Sequence, residues 1–130
     1  MRSLAIATAV LVLCGLLFFF VDPASSGVYW SCPFHTLTGL YCPGCGAQRA
    51  LHAVLHGRVV EALSLNALVV LVFLPWGGHG YAAYAAAALG IARVPGIGLN
   101  SRRLRILLAL VILFGVLRNI PIAPLSWLGP

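Results

Sequence analysis

Residues 4–21 form an apolar run near the start of the chain, directly behind Met1-Arg2-Ser3, and they carry no charged side chain. A helix that crosses a bilayer needs about 17–25 such residues, so this run is long enough to do so. The apolar core of a cleaved signal peptide is shorter, at about 7–15 residues. We therefore predict a retained first span at residues 4–21, with cleavage near Ala24-Ser25-Ser26 as the alternative.

The composition of the whole chain is also that of a membrane protein. Of its 130 residues, 62% are hydrophobic and 8% are charged, and the mean hydropathy is +1.04. Soluble domains are about half apolar and about a quarter charged. So few charged groups cannot cover a surface in water, so lipid must surround most of the chain. The length fits one domain, and we predict an all-α membrane domain over residues 1–130.

Two later apolar stretches are the other candidate spans. Residues 60–92 would form a straight helix of about 50 Å, longer than a hydrocarbon core of about 30 Å. Proline breaks or bends a helix, so we predict a kink near Pro75. Residues 104–122 form the last span. An alternative with four spans divides residues 60–92 into two short helices.

The arginines favour three spans over four. The net charge of +6 comes from eight arginines and two acids. With three spans, Arg2 and a later basic cluster share one side, which the positive-inside rule makes cytoplasmic. The N-terminus is then cytoplasmic. The cluster consists of Arg93, Arg102, Arg103 and Arg105. The arginines do not lie on a polar surface interleaved with aromatics, which excludes nucleic-acid binding.

With this topology, residues 22–46 form an outer loop that is followed by a surface helix. Tyr29, Trp30 and Trp127 fall near the outer boundary, where aromatic belts lie. Residues 47–57 have apolar side chains on one helical face, which is typical of an amphipathic helix at a membrane surface. The polar face holds Gln48, Arg49, His52 and His56.

The outer loop carries two short pairs of metal-ligand residues. They read Cys32-Pro33-Phe34-His35 and Cys42-Pro43-Gly44-Cys45-Gly46. Proline and glycine make the tight turn of zinc knuckles, and three thiolates with one imidazole complete a tetrahedral zinc site. If this loop binds a metal ion such as zinc, the candidate ligands are Cys32, His35, Cys42 and Cys45. His52 and His56 are the alternative ligands.

Other interpretations of the cysteines remain open at this point. An outward loop in an oxidising compartment favours a disulfide from Cys32 to Cys42 or Cys45. Cys42 and Cys45 also fit a thiol–disulfide exchange pair, because the helix that follows Cys45 stabilises a thiolate. Unpaired thiols are the fourth alternative.

The sequence around the second pair resembles a known family. Thr38-Gly39-Leu40-Tyr41-Cys42-Pro43-Gly44-Cys45-Gly46-Ala47-Gln48-Arg49-Ala50 is similar to the bacterial membrane-protein family catalogued as domain of unknown function 2752. Further matches are Cys32-Pro33, Gly57, Asn66 and Arg118-Asn119. The chain departs from the family at Asn66-Ala67, where Asn-Pro is usual, and at Gln48, where Thr or Ser is commoner. The resemblance implies a bacterial inner-membrane protein and no particular activity.

These features together predict a non-enzymatic membrane module. Its loop would be held by metal or disulfide and presented to a membrane-protein partner, and no catalytic residue is predicted. The alternatives are a thiol–disulfide membrane oxidoreductase and a small transport or lipid-handling subunit. The second alternative rests on polar residues near membrane depth, namely Glu61, Asn66, Arg118 and Asn119. A buried charge usually pairs, so we expect Arg118 to bind Glu61, or else Asp22, with the two asparagines adding hydrogen bonds.

Overall fold

A computed structural model describes residues 2–27, 29, 32–91, 95, 98, 100–123 and 127, and over these residues the chain is helical with no strand. The predicted all-α class is confirmed. Trp30 and Arg93 lie outside the described residues. The helices are α1 (Arg2–Phe20), α2 (Pro33–Thr38), α3 (Ala47–Leu55), α4 (Val59–Leu68), a π-helical segment (Val69–Phe73), α5 (Leu74–Ala88) and α6 (Ser101–Leu117).

Two helices in the described part of the chain are long and apolar enough to cross a membrane. They are α1, with 19 residues, and the continuous helix Val59–Ala88, with 30 residues. No residue of α1 is buried, and large apolar side chains such as Leu13 are 65% exposed. An exposed apolar surface of this size is typical of a site that contacts a membrane or another protein. α6 has 17 residues and is the shortest of the three long apolar helices.

The long helix departs from regular geometry at Asn66 and again just before Pro75, near which the sequence predicts a kink. Asn66 has an extended backbone, with φ −162° and ψ 88°. The wider π-helical turn of Val69–Phe73 then lies directly ahead of Pro75. In a regular helix the ring of Pro75 would clash with the carbonyl of Leu71. A π-helical turn at this place makes room for the ring of Pro75.

The short helix α3 packs against both α1 and α4. Ala50 and Ala53 of α3 are fully buried with Ala62 of α4. On the polar face, His52 Nδ1 donates to the carbonyl of Phe18 at 2.7 Å. Phe18 lies in the last turn of α1, where carbonyls lack helical partners, so His52 caps that helix. α3 therefore joins the end of α1 to the start of α4.

A polar contact also joins α1 to α5. The Tyr81 hydroxyl lies 2.7 Å from Thr8 Oγ1, which donates to the carbonyl of Leu4 at 2.8 Å. Tyr81 is therefore the donor to Thr8. Hydroxyl pairs of this kind stabilise contacts between membrane helices by about 1 kcal/mol. α1 is therefore tied to α5 near its start by Tyr81 and to α3 near its end by His52.

Candidate metal centre

The second cysteine pair forms a tight turn that leads into α3. Cys45 N–H donates to the carbonyl of Cys42 at 3.1 Å, and Ala47 N–H donates to that of Gly44 at 3.1 Å. Gly46 then starts α3 with φ 76°, in the left-handed region that favours glycine. The backbone N–H of Cys42 also points at Cys45 Sγ, at 3.3 Å. We call residues 42–46 the cysteine turn.

Three thiols from two segments of the loop meet beside the cysteine turn. Cys42 Sγ lies 3.3 Å from Cys32 Sγ and 3.0 Å from Cys45 Sγ. All three sulfur atoms lie within 4.8 Å of one another. Sulfurs in a tetrahedral zinc site with bonds of about 2.3 Å lie about 3.8 Å apart. The thiols therefore surround one point at the spacing of a small metal site.

The environments of Cys32 and Cys45 shift their pKa values in opposite directions. Backbone N–H groups at the start of α2, that of His35 first, lower the pKa of the Cys32 thiol to about 7. Burial raises the pKa of the Cys45 thiol to about 12, because its charged form loses solvent. Cys45 therefore stays protonated at neutral pH unless a cation is bound next to its sulfur.

Asn66 of α4 holds the cysteine turn by hydrogen bonds from its side chain. Its side chain is fully buried, and Nδ2 donates to the carbonyls of Pro43 at 2.9 Å and Cys45 at 3.1 Å. Its Oδ1 accepts from Val69 N–H at 3.0 Å, in place of the helical carbonyl of Leu65. The kink in the long helix therefore lies where the amide of Asn66 reaches the turn, about 10 Å from the start of α4.

Arg118, which caps α6, holds the same turn from the other side. Its Nη1 donates to the carbonyls of Cys42 at 3.0 Å and Cys45 at 2.9 Å. Its Nη2 donates to Leu65 at 3.3 Å, the carbonyl released by the kink at Asn66. Arg118 is only 3% exposed, and its guanidinium also lies 5.6 Å from the ring centre of Tyr41. The positive charge is thus buried directly beneath the cysteine turn.

Asn119 fixes the residue that enters the turn. Its Oδ1 accepts from Tyr41 N–H at 2.8 Å, and its Nδ2 donates to the Tyr41 carbonyl at 2.8 Å. Nδ2 also donates to the carbonyl of Gly115 at 2.7 Å. Three of the four predicted membrane-depth residues therefore bind the backbone around the cysteines. We call Asn66, Arg118 and Asn119 the polar clamp.

The fourth predicted residue, Glu61, takes no part in the clamp. Its carboxylate pairs with Arg58 at 3.1 Å on an exposed face of α4. Asp22 accepts from Ala24 N–H at 2.8 Å in the turn after α1. The predicted pair of Arg118 with Glu61, and its second choice with Asp22, are therefore wrong. Backbone carbonyls partner Arg118 instead, since the turn and the kink leave them available.

The structure brings together three of the four predicted zinc ligands. His35 Nδ1 lies 3.2 Å from the carbonyl of Leu40, and its ring stacks on Tyr41 at 4.7 Å. Within α2 it is the backbone N–H of His35 that faces Cys32. The alternative ligands His52 and His56 lie in the contact between α3 and α1, and His56 stacks on Phe19 at 4.4 Å. No histidine belongs to the thiol group among the described residues.

An open cavity of about 870 Å³ adjoins the three thiols. Its wall includes Tyr29, His35, Gln48 and Arg49. Among the described residues that line the cavity, Arg49 is the one arginine, and none carries a carboxylate. The sulfur site is therefore accessible from outside the protein.

Two contributors to the site were not predicted from the sequence. α2 starts at Pro33 directly after Cys32, and proline at a first helical position is a signal that could have predicted it. Gly115 lets Pro43 pack against α6, since a Cβ at this glycine would lie 2.9 Å from Pro43 Cγ. A small residue within an apolar helix is a signal for such close contact.

Residues 32–77 match the family described as a protein of unknown function (DUF2752). The family predicted from the motif is confirmed. The matched segment spans about a third of the chain and holds all three thiols and Asn66. Arg118 and Asn119 lie outside it and complete the clamp from α6. No curated protein and no solved structure matches this chain.

The contact between Pro43 and Gly115 leads to a first testable prediction. Gly115→Ala should destabilise the protein, because either the proline ring or α6 must move. Relative to Gly15→Ala, which has open space in α1, the expected loss is about 1–3 kcal/mol. The comparison cancels the helix propensity of alanine. Denaturant titration in detergent micelles measures the free energy of unfolding of both variants. Equal values for the two would contradict the observed packing.

Asn66 provides a second prediction. Asn66→Leu keeps the approximate volume but leaves the Pro43 carbonyl without its donor, while Val69 N–H keeps the backbone carbonyl of residue 66 as an acceptor. The free energy of unfolding should fall by about 1–3 kcal/mol for each buried group left unpaired. Ser64→Ala, on the same helix, is the matched control and should change it by less than about 0.5 kcal/mol. If the two variants unfold alike, Asn66 does not hold the turn.

Proposed function

We propose that this DUF2752 protein is a non-enzymatic membrane module that holds a thiophilic metal ion, zinc first, on Cys32, Cys42 and Cys45. The observation that carries the proposal is the convergence of three sulfur atoms within 4.8 Å. Zinc is bound tightly by thiolates in tetrahedral sites. The metal would tie the start of α2 to the cysteine turn and hold the loop in one shape for a membrane-protein partner.

The buried charge of Arg118 supports a metal over a disulfide. A disulfide uses two thiols and removes two groups that could become negative. Zinc with three thiolates carries a net charge of −1, which compensates the guanidinium beneath the turn. A buried charge without an opposite charge nearby costs several kcal/mol. The polar clamp is therefore better suited to a thiolate–metal centre than to a neutral disulfide.

The contacts between helices support the proposed topology. The end of α1 contacts α3, which follows the cysteine turn, while Asn66 of α4 and Arg118 at the end of α6 contact the turn itself. This arrangement fits three spans that alternate in direction. Arg2 and the arginines at the start of α6 then lie on the opposite, cytoplasmic side, and the thiols face outward in a bacterial inner membrane. The contacts of α1 with His52 and Tyr81 support its retention as a span in the bilayer.

Metal and thiol content of the purified protein test the function. We expect one zinc for each chain by elemental analysis. Cys32, Cys42 and Cys45 should react with maleimide only after chelator and denaturant are added, with no need for a reductant. Peptide mapping by mass spectrometry reads each thiol separately. Labelling that requires reduction, in protein without stoichiometric metal, would replace this proposal with a disulfide and favour thiol–disulfide exchange.

Reporter cysteines test the topology separately. Ala24→Cys lies in the exposed turn after α1, and Arg102→Cys lies in the exposed first turn of α6. Impermeant maleimide on spheroplasts should label position 24 directly, and position 102 only after permeabilisation, because three spans place them on opposite sides. Labelling of both positions in intact spheroplasts would contradict three spans.

A further inference from the structure

The proposed metal centre has fewer protein ligands than a closed zinc site. A structural zinc site has four protein ligands, whereas a site with three keeps a position for an outside ligand. The described residues offer three sulfur atoms and no further ligand atom in the same group. The nearest candidate by sequence, His35, is already placed against the Leu40 carbonyl and the Tyr41 ring.

The fourth coordination position of the proposed metal ion faces the cavity rather than the protein interior. All three cysteines line the cavity of about 870 Å³, together with Gln48 and Arg49. A volume of several hundred Å³ is enough for a small molecule. The fourth ligand can therefore enter from solvent without any change in the helices.

The charges at the site favour an anionic ligand. Zinc with three thiolates has a net charge of −1, and Arg118 beneath the turn balances it. Arg49 on the cavity wall supplies a second positive charge, and a fourth ligand of charge −1 would bring the centre to −2 against these two arginines. Soft donors suit a thiolate-bound metal, and sulfur is the softest donor common in biology.

We propose that the fourth position binds the thiolate of a small-molecule thiol and that Arg49 is a positioning residue for it. This inference rests on the proposed metal centre. On binding, the thiol sulfur forms a bond to the metal and its proton passes to solvent. No electron is transferred. The site then acts as a receptor for thiols on the outer side of the membrane.

Cobalt substitution of the full-length protein in detergent tests the inference. Co²⁺ bound by thiolates absorbs in the near ultraviolet in proportion to the number of sulfur ligands. Addition of 2-mercaptoethanol should raise this absorbance by about one third, as three sulfurs become four. Ethylene glycol, its oxygen analogue, should have no effect. Loss of the band on adding the thiol, or an unchanged band, would overturn the inference.

Variants separate the role of Arg49 from a general effect of charge. Arg49→Gln should leave the cobalt band without thiol as in the wild type and weaken thiol binding about fivefold. Arg49→Lys should restore most of the affinity for the thiol. Arg58→Gln removes the same charge from an exposed residue outside the cavity lining and should leave thiol affinity unchanged. Equal weakening by Arg49→Gln and Arg58→Gln would show that Arg49 does not position the thiol.

His35→Ala completes the test. An unchanged cobalt spectrum in this variant is expected, since His35 lies outside the thiol group. A change in the spectrum, together with no response to the thiol, would identify His35 as an internal fourth ligand and overturn the inference while the metal centre stands. Absence of any thiolate–cobalt band in the wild type would instead remove the metal centre itself.

Discussion

Cys42→Ser is expected to abolish stoichiometric metal binding. Cys42 is the central sulfur, 3.3 Å from that of Cys32 and 3.0 Å from that of Cys45. Its loss leaves two thiols, and loss of a direct ligand should lower metal affinity by more than the roughly hundredfold that loss of an outer-shell partner costs. The ratio of zinc to protein after dialysis against a weak chelator measures the change.

Cys14→Ser is the matched control for this experiment. Cys14 lies exposed on α1, in the apolar run and away from the three thiols. The Cys14→Ser protein should keep one zinc for each chain. Chelation should also lower the melting temperature of this control, since a ligand that binds the folded state stabilises it, and should leave that of Cys42→Ser unchanged. A Cys42→Ser protein that retains its zinc would show that the metal lies elsewhere.

Arg118→Met should cause the largest loss of stability of any single substitution proposed for this protein. Methionine has a similar length and no charge, so it removes the donors to Cys42, Cys45 and Leu65 with little change in packing. Breaking a buried charge interaction by removing one partner costs about 3–5 kcal/mol. The free energy of unfolding in detergent, measured with zinc bound, gives the effect.

Two comparisons show whether the charge of Arg118 acts on the metal centre. In the presence of a chelator, the loss caused by Arg118→Met should be smaller, because the negative thiolate centre is then absent. The difference between the two losses is the coupling of Arg118 to the metal. Arg118→Lys keeps the charge but cannot bridge three carbonyls, so it should recover only part of the stability. A loss that is identical with and without metal would make Arg118 a purely structural clamp.

The first long apolar helix could be predicted from the sequence with little ambiguity. Residues 4–21 are predominantly apolar and carry no charged side chain, and the structure has α1 at Arg2–Phe20. This works because the requirement on a lipid-facing helix is local, in that every residue must be compatible with the bilayer and every backbone group is satisfied within the helix. The cysteine turn could also be predicted from the sequence, since Pro43 and Gly46 are residues that favour a tight turn.

The partners of the polar residues could not be predicted in the same way. Arg118 was expected to find Glu61, the nearest carboxylate by depth. Glu61 instead pairs with Arg58 three residues away on the same helix. The prediction paired Arg118 with a side chain of opposite charge. The partners it has in the structure are backbone carbonyls of an irregular turn, which no charge pattern in the sequence indicates.

The sequence by itself determined an all-helical chain with long apolar helices, the family whose model matches residues 32–77, and the cysteine pairs of the loop. Only the tertiary structure decided that three sulfur atoms lie together without His35, and that Asn66, Arg118 and Asn119 bind the cysteine turn and the residue before it. The physical reason is that an extended residue at Asn66 removes one carbonyl, that of Leu65, from the helix. That carbonyl and those of the turn become available together, at a place that Arg118 at the end of α6 reaches only in the folded chain.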